Sequence, residues 1–274
     1  MIEFEKYQAA GNDFIIINNM NKEYDYLNDL AISVCDRHYG VGADGLIVLE
    51  QSEIGDAKML YFNSDGSSAP MCGNGIRCFA MYLYDHKILT SPTMNIETLA
   101  GIVEVKLLIN DKKIEQIRVN LGKPEYLLKD DLSKPKLTDI VICGQIFKGT
   151  VLKLKVLHTV VLINKFNTED VLKYGPQIEN YFSEKSNVNF VEVLNSNSIK
   201  VITWEKGAGL TKACGTGAAA SAIIAAELKN ITLPTKVIMP GGEVLVDAKR
   251  DGVYLTGTAY KVCEGIYMKW GWNK

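Results

Sequence analysis

The residues best placed to do chemistry are two cysteines in matching surroundings. Cys72 stands in Met71-Cys72-Gly73-Asn74-Gly75, and Cys214 in Ala213-Cys214-Gly215-Thr216-Gly217. Each Cys-Gly-X-Gly segment opens an apolar run of helical length, so each sulfur belongs at a helix start. There the free N–H groups of the first turn favour an anion, and a cysteine is drawn toward its thiolate. The glycines allow backbone to approach a ligand closely. A carboxylate held by two such starts would have its α-carbon between two sulfurs. One sulfur, as thiolate, can take the α-proton from one face; the other, as thiol, can deliver a proton to the opposite face. Helix N–H groups would stabilise the charge that builds on the carboxylate. The chemistry implied is inversion at an amino acid's α-carbon without a cofactor. A lone cysteine of this kind is ordinarily a packing residue, and a regulatory disulfide would explain neither the glycines nor the helix starts.

These helices are unusual among the elements the sequence predicts. Helical spacing covers about 25–38, 74–87, 169–182 and 215–229. Ile76 to Leu83 is apolar on every side except at Arg77, and from Ala218 to Ala226 only Ser221 is polar. A helix apolar all round must be surrounded by protein. Most of the remaining chain reads as short strands: Phe14–Ile17, Leu46–Leu49, Met59–Phe62, Gly101–Ile109, Ile114–Leu121, Val151–Ile163, Val188–Leu194, Ile199–Trp204, Glu243–Ala248 and Val253–Ala259. The natural wrapping for each helix is a curved sheet. Cys72 and Cys214 lie 142 residues apart, about half of the 274-residue chain. That spacing predicts two similar halves with a joint near 110–120, although the rest of the sequence shows no clear repeat.

Composition narrows the partners. The chain is 47% hydrophobic and 23% charged, with a formal net charge of −2 and scattered basic residues, which argues against nucleic acid or an anionic membrane. No apolar run approaches a membrane span, and Met1 to Lys6 alternates like a strand rather than a signal peptide; the expected compartment is the cytoplasm. Six dispersed cysteines without a CxxC pair, and three separated histidines (His38, His86, His158), predict free thiols and no structural metal site.

The chain resembles the diaminopimelate epimerase family. The motifs that carry the resemblance, in family order, are Gly11-Asn12-Asp13-Phe14, Gly42-Ala43-Asp44-Gly45, Phe62-Asn63-Ser64-Asp65-Gly66-Ser67, Cys72-Gly73-Asn74-Gly75-Ile76-Arg77-Cys78, Asn187-Val188-Asn189-Phe190, Trp204-Glu205-Lys206-Gly207 and Ala213-Cys214-Gly215-Thr216-Gly217-Ala218. The resemblance implies an α/β (α+β) fold of two pseudo-twofold-related domains, each a β-barrel-like sheet wrapped around a central apolar helix. It sets residues 1–117 plus 263–274 in an N-terminal domain and 118–262 in a C-terminal one, with the site in the cleft between them. It implies a small amino-acid substrate, no pyridoxal phosphate, no metal or other cofactor, and a homodimer. By motif position, Cys72 and Cys214 are the catalytic pair. The α-carboxylate falls to the backbone of Gly73, Asn74, Gly215 and Thr216. Asn12, Asn63, Asn187 and Glu205 match substrate contacts, with His158 and Lys206 beside the site. Plainer roles exist: turns or caps for the asparagines, a surface ion pair for Glu205, a core position for His158.

Three departures bear on the substrate. The family usually has Glu-Arg where this chain has Glu205-Lys206, and Asn-Pro-His where it has Val156-Leu157-His158. Its His-Gly-Leu is Tyr7, Gln8 and Ala9-Ala10 here. Lysine lacks the two-pronged hold of arginine on a carboxylate, and valine offers no side-chain hydrogen bond. These departures argue against diaminopimelate itself; by resemblance, the chain looks most like the histidine racemases that supply D-histidine for staphylopine-type metallophores. An ordinary diaminopimelate epimerase is the alternative, with a proline-type racemase or phenazine-type isomerase behind it. A thiol redox sensor or amino-acid-binding protein is the alternative of another class.

Overall fold

The computed structural model describes residues 1–131, 134–229 and 231–268, and within these the chain divides into two compact units. Unit 1 is Met1–Val119 together with the segment from Thr258; unit 2 is Asn120–Gly257. Residues 269–274, expected in the N-terminal domain, lie outside the described residues. The fold is mixed α/β, dominated by sheet, with four helices among the described residues.

In unit 1, β1 (Ile2–Ala9) and β2 (Asn12–Asn18) form a hairpin, followed by α1 (Leu27–Cys35), β3 (Gly45–Glu50), β4 (Ala57–Asn63) and the short β5 (Ser68–Ala69). Then come α2 (Gly73–Asp85), β6 (Thr93–Thr98), β7 (Gly101–Asn110) and β8 (Lys113–Asn120). Unit 2 begins with β9 (Glu125–Tyr126) and a small hairpin of β10 (Lys129–Asp131) and β11 (Lys134–Pro135). It continues with β12 (Thr138–Ile142), β13 (Gln145–Leu154), β14 (Val156–Leu162), α3 (Thr168–Glu179), β15 (Asn187–Asn195), β16 (Ser198–Glu205) and β17 (Gly209–Thr211). After α4 (Gly215–Lys229) come β18 (Thr235–Met239), β19 (Gly242–Lys249) and β20 (Gly252–Gly257). The last strand, β21 (Tyr260–Tyr267), returns to unit 1.

Strand pairing shows the two units to be built alike. In unit 1 the order β21-β1-β2-β3-β4-β6-β7-β8 runs antiparallel, antiparallel, parallel, antiparallel, parallel, antiparallel, antiparallel. In unit 2 the order β12-β13-β14-β15-β16-β18-β19-β20 repeats that series step for step. The short strands correspond as well: β5 pairs β4, and β17 pairs β16.

Sequence dictates which helix lies on which face. β3 is buried from Gly45 to Leu49, reading Gly-Leu-Ile-Val-Leu, the pattern of a strand covered on both sides. One face, with Ile15, Ile17, Leu46 and Val48, packs in a core with Leu30 and Val34 of α1. α2 packs against β1, β2, β4, β7 and β21. α3 opens with a reciprocal cap between Asn167 and Asp170 and joins Phe147, Val161, Phe190 and Ile202 in the corresponding core of unit 2. α4 is buried from Gly215 to Ala225 and meets β13 to β16 and β18 to β20. The all-apolar character of α2 and α4 therefore has its expected cause: each is the central helix of its unit.

Some boundaries differ from the sequence expectation. Val151–Ile163 is two strands, because Lys155 takes a left-handed φ of 63° and reverses the chain. The units part at Val119/Asn120 and Gly257/Thr258 rather than at 117/118 and 262/263, because β21 ladders onto β1 from Tyr260 to Tyr267. Among the described residues no helix is long and apolar enough to cross a membrane.

Candidate active site

In unit 1, Cys72 is the N-cap of α2: its backbone is extended, and its Sγ accepts the Gly75 N–H at 3.4 Å. Its carbonyl accepts the first helical bond, from Ile76. Gly75 is closely packed: a Cβ there would lie 3.1 Å from Ile47 Cδ1, 3.3 Å from Cys72 Cβ and 3.6 Å from the sulfur. Asn12, at the start of β2, sends Oδ1 toward this cap, 3.8 Å from Cys72 Sγ and 3.2 Å from Asn74 Nδ2. Its Nδ2 donates to Asp44 at 2.6 Å. The buried Asn74 in turn accepts a bond from Arg77 Nη2 at 3.0 Å. Cys72, Asn12 and Asn74 thus lie together. Asn63 stands at the end of β4, where Oδ1 accepts the Tyr61 hydroxyl and Nδ2 donates to Ser67.

Unit 2 repeats the backbone and changes the chemistry. Cys214 is buried, and its carbonyl accepts the first bond of α4, from Ala218. A Cβ at Gly217 would lie 3.2 Å from its sulfur and only 2.2 Å from Asn189 Oδ1. The sulfur lies 3.7 Å from Thr216 Oγ1 and bonds with the Glu205 carboxyl group. Burial first, then the charge of Glu205, holds the Cys214 thiol well above the usual thiol range; Thr216 and the Gly217 N–H pull the other way. Glu205 is itself held by the Thr211 hydroxyl at 2.7 Å. Asn187 Oδ1 accepts the Lys206 N–H at 2.9 Å, which fixes the turn between β16 and β17, while the Lys206 side chain is exposed.

His158 lies in the core of unit 2. It is wholly buried, and burial lowers its pKa to about 3, so the ring is neutral at physiological pH. Nδ1 faces Asn189 Nδ2 at 3.2 Å, and Nε2 has no partner among the described residues. Asn189 also donates to Thr159 O and accepts from Thr203 Oγ1.

Matching registers align the units residue by residue. Ala69 and Thr211 pair with Tyr61 and Thr203, and each precedes its cysteine by three residues. Asn63 therefore corresponds to Glu205, Phe14 to His158, Asn12 to Val156, and Arg77 to Ala219. Sequence reasoning missed Arg77, Asp44 and Asn189 as parts of these surroundings. The first had a visible signal, a lone charge in an otherwise apolar helix. Asn189 had another: it lies two residues beyond Asn187, on the same face of a strand.

The family model described as diaminopimelate epimerase matches residues 4–127 and 155–262. The diaminopimelate epimerase of Caldanaerobacter subterraneus is 40% identical over 272 residues, covering 96% of this chain and 98% of that one. That of Alkaliphilus metalliredigens is 37% identical over 276 residues, covering 97% and 98%. Among solved structures, a probable proline racemase from Agrobacterium radiobacter superposes with a TM-score of 0.77 at 13% identity, over 100% of this chain and 94% of that one. A hydroxyproline epimerase from Agrobacterium vitis gives 0.75 at 13% identity, over 97% and 91%. These structures share the fold. The sequence relatives are named for diaminopimelate, so the expected histidine specificity and metallophore role gain no support from them.

Proposed function

We propose that this chain, which belongs to the diaminopimelate epimerase family, interconverts LL- and meso-diaminopimelate by proton transfer at the α-carbon, with Cys72 and Cys214 as the acid/base pair. It is an isomerase of the racemase and epimerase class that works without pyridoxal phosphate. The observation that carries the two-thiol reading is the repetition itself. Two units whose sequences share little beyond the motif each hold a cysteine sulfur against the N–H three residues on, at the start of a buried central helix.

In the forward step one sulfur, as thiolate, takes the α-proton, and the C–H electron pair passes into the carboxylate as an enediolate. The second sulfur, as thiol, gives its proton to the other face of the carbon. The two thiols exchange protonation states, so the product leaves an enzyme poised for the reverse reaction. First-turn N–H groups at Gly73, Asn74, Gly215 and Thr216 are the donors assigned to the α-carboxylate. Asn12, Asn63, Asn187 and Glu205 are assigned to the groups around the α-carbon.

A second substrate, histidine, is favoured by one observation: Val156 and Lys206 stand where the family usually has asparagine and arginine. The test is α-proton exchange in D2O with reductant, using LL-diaminopimelate, meso-diaminopimelate and L-histidine. Deuterium uptake with stereochemical conversion of diaminopimelate, at a kcat/KM at least about 100-fold above that for histidine, is the expected outcome. Conversion of histidine alone would shift the substrate to the second reading. No exchange with any of the three would sink the two-thiol reading itself.

A further inference from the structure

Arg77 is wholly buried in α2, at 0% exposure, and has no carboxylate partner among the described residues. A guanidinium does not give up its proton, so a full positive charge is held away from water. Isolated buried charge is strongly unfavourable and ordinarily calls for an anion nearby. The acceptors it finds are neutral dipoles: Gly73 O at 2.9 Å, Asn74 Oδ1 at 3.0 Å and Thr258 O at 3.3 Å. Two of these belong to the residues directly after Cys72. The side chain thus folds back along its own helix and places its charge under the first turn.

We propose that Arg77 is the positioning residue that keeps Cys72 as a thiolate in the resting protein, so that Cys72 is the resting base and Cys214 the resting acid. The proposal rests on the reading of these cysteines as the proton-transfer pair. Arg77 interacts electrostatically with two thiols, Cys78 and Cys72. Cys78 is fully buried, and burial holds its thiol far above the usual range, so it stays neutral and the counter-charge falls to Cys72. The Gly75 N–H donates to that sulfur at 3.4 Å, a contact that a thiolate strengthens. A contact of opposite sense, to Asn12 Oδ1, is longer at 3.8 Å.

Among the described residues, charged groups on and around α2 have partners of their own or are exposed. Asp44 binds Asn12 and Arg37, and Asp13 binds Lys6 and Arg37. Lys58 on β4 pairs with Glu97, and Glu104 and Lys106 on β7 are exposed. Glu5, Asp85, His86 and Lys261 cluster around Tyr7 at the far end of the helix. In unit 2 the position corresponding to Arg77 is Ala219, and the charge beside the sulfur is the carboxylate of Glu205. One thiol is therefore furnished with a buried cation and the other with an anion.

The test is iodoacetamide alkylation of the reduced, full-length protein from pH 5 to 10, with each cysteine followed by peptide mass spectrometry. The pH midpoint carries the result rather than the rate, because limited access slows the whole profile alike. In the wild type the Cys72 midpoint should lie at least about one pH unit below that of exposed Cys263, which serves as internal reference. Arg77→Met should raise it by at least about one unit, a tenfold change in the ionisation constant, and Arg77→Lys should restore most of the shift, while the Cys214 profile stays in place. A wild-type Cys72 midpoint at or above that of Cys263 overturns the proposal. So does an unmoved midpoint in a folded Arg77→Met protein. If Arg77→Met does not fold, the wild-type and Arg77→Lys profiles decide. A low Cys72 midpoint without α-proton exchange of any amino acid would defeat the pair reading alone.

Discussion

The two units share one scaffold and differ in what surrounds the sulfur it presents. In unit 1 Cys72 caps α2 beside an amide chain, Asp44 to Asn12 to Asn74 to Arg77, which ends in a buried cation. In unit 2 Cys214 opens α4 beside Glu205 and Thr216, and Gly217 of its first turn lies against Asn189, which contacts a neutral histidine. The backbone that sets a thiol against a helix start is the same in both units; the side chains beside the thiol differ. The proposed pair, which shares one proton between two sulfurs, gains from that divergence, since identical surroundings would leave both thiols in the same state. Proton transfer needs the opposite.

The largest test of the comparison is removal of either sulfur. Cys72→Ala and Cys214→Ala are each expected to lower kcat for α-carbon inversion by a factor of about 10³ or more, measured by chiral chromatography, with circular dichroism unchanged. Inversion that survived either change at near wild-type rate would leave the repetition without a catalytic meaning.

The matching glycines should separate the units by stability. Gly217→Ala drives a methyl to 2.2 Å from a hydrogen-bonded carboxamide oxygen, whereas Gly75→Ala meets the tip of an isoleucine at 3.1 Å and Cys72 Cβ at 3.3 Å. About 3 kcal/mol of destabilisation is expected for the first and about 1 kcal/mol for the second, from urea melts. Equal losses would show that the two helix starts are packed with the same tightness.

A gentler contrast comes from pH. His158 stays neutral in the fold down to about pH 3, while in the unfolded chain it takes up a proton near 6.5. Between those values the unfolded chain binds more protons, so stability falls as pH drops below 6.5, by about 1.4 kcal/mol per pH unit. Its counterpart in unit 1, Phe14, does not titrate. Unit 2 should therefore lose about 2 kcal/mol between pH 6.5 and 5, and His158→Phe should flatten that slope, as read from hydrogen exchange of its strand amides. A slope retained in the variant would assign the acid sensitivity to other groups.

Much of this was legible in the sequence because the informative signals were local. A repeated Cys-Gly-X-Gly motif, each followed by an apolar run, was enough to place two sulfurs at the starts of two buried helices. Strand-for-strand equivalence of the units was not legible, since a ladder constrains only alternation and burial and leaves residue types free to drift. Tyr61 and Thr203, or Phe14 and His158, occupy matched sites without resembling each other. The reversal at Lys155 was hidden as well, because a left-handed lysine leaves none of the signature of glycine or asparagine. Arg77 was visible as an interruption of an apolar helix, but that it turns inward rather than out to solvent depends on carbonyls brought near by folding, Thr258 O among them.

The ladder between β1 and β21 has a bearing on how the chain is assembled. Unit 2 is a single uninterrupted stretch, while unit 1 draws its edge strand from beyond it. During synthesis the later-made unit is therefore the first for which every strand is present, and the earlier one waits with an open sheet edge until about 260 residues have been joined. An unpaired edge is the kind of surface from which misassociation starts, so the interval before β21 arrives is the vulnerable moment in this protein's birth.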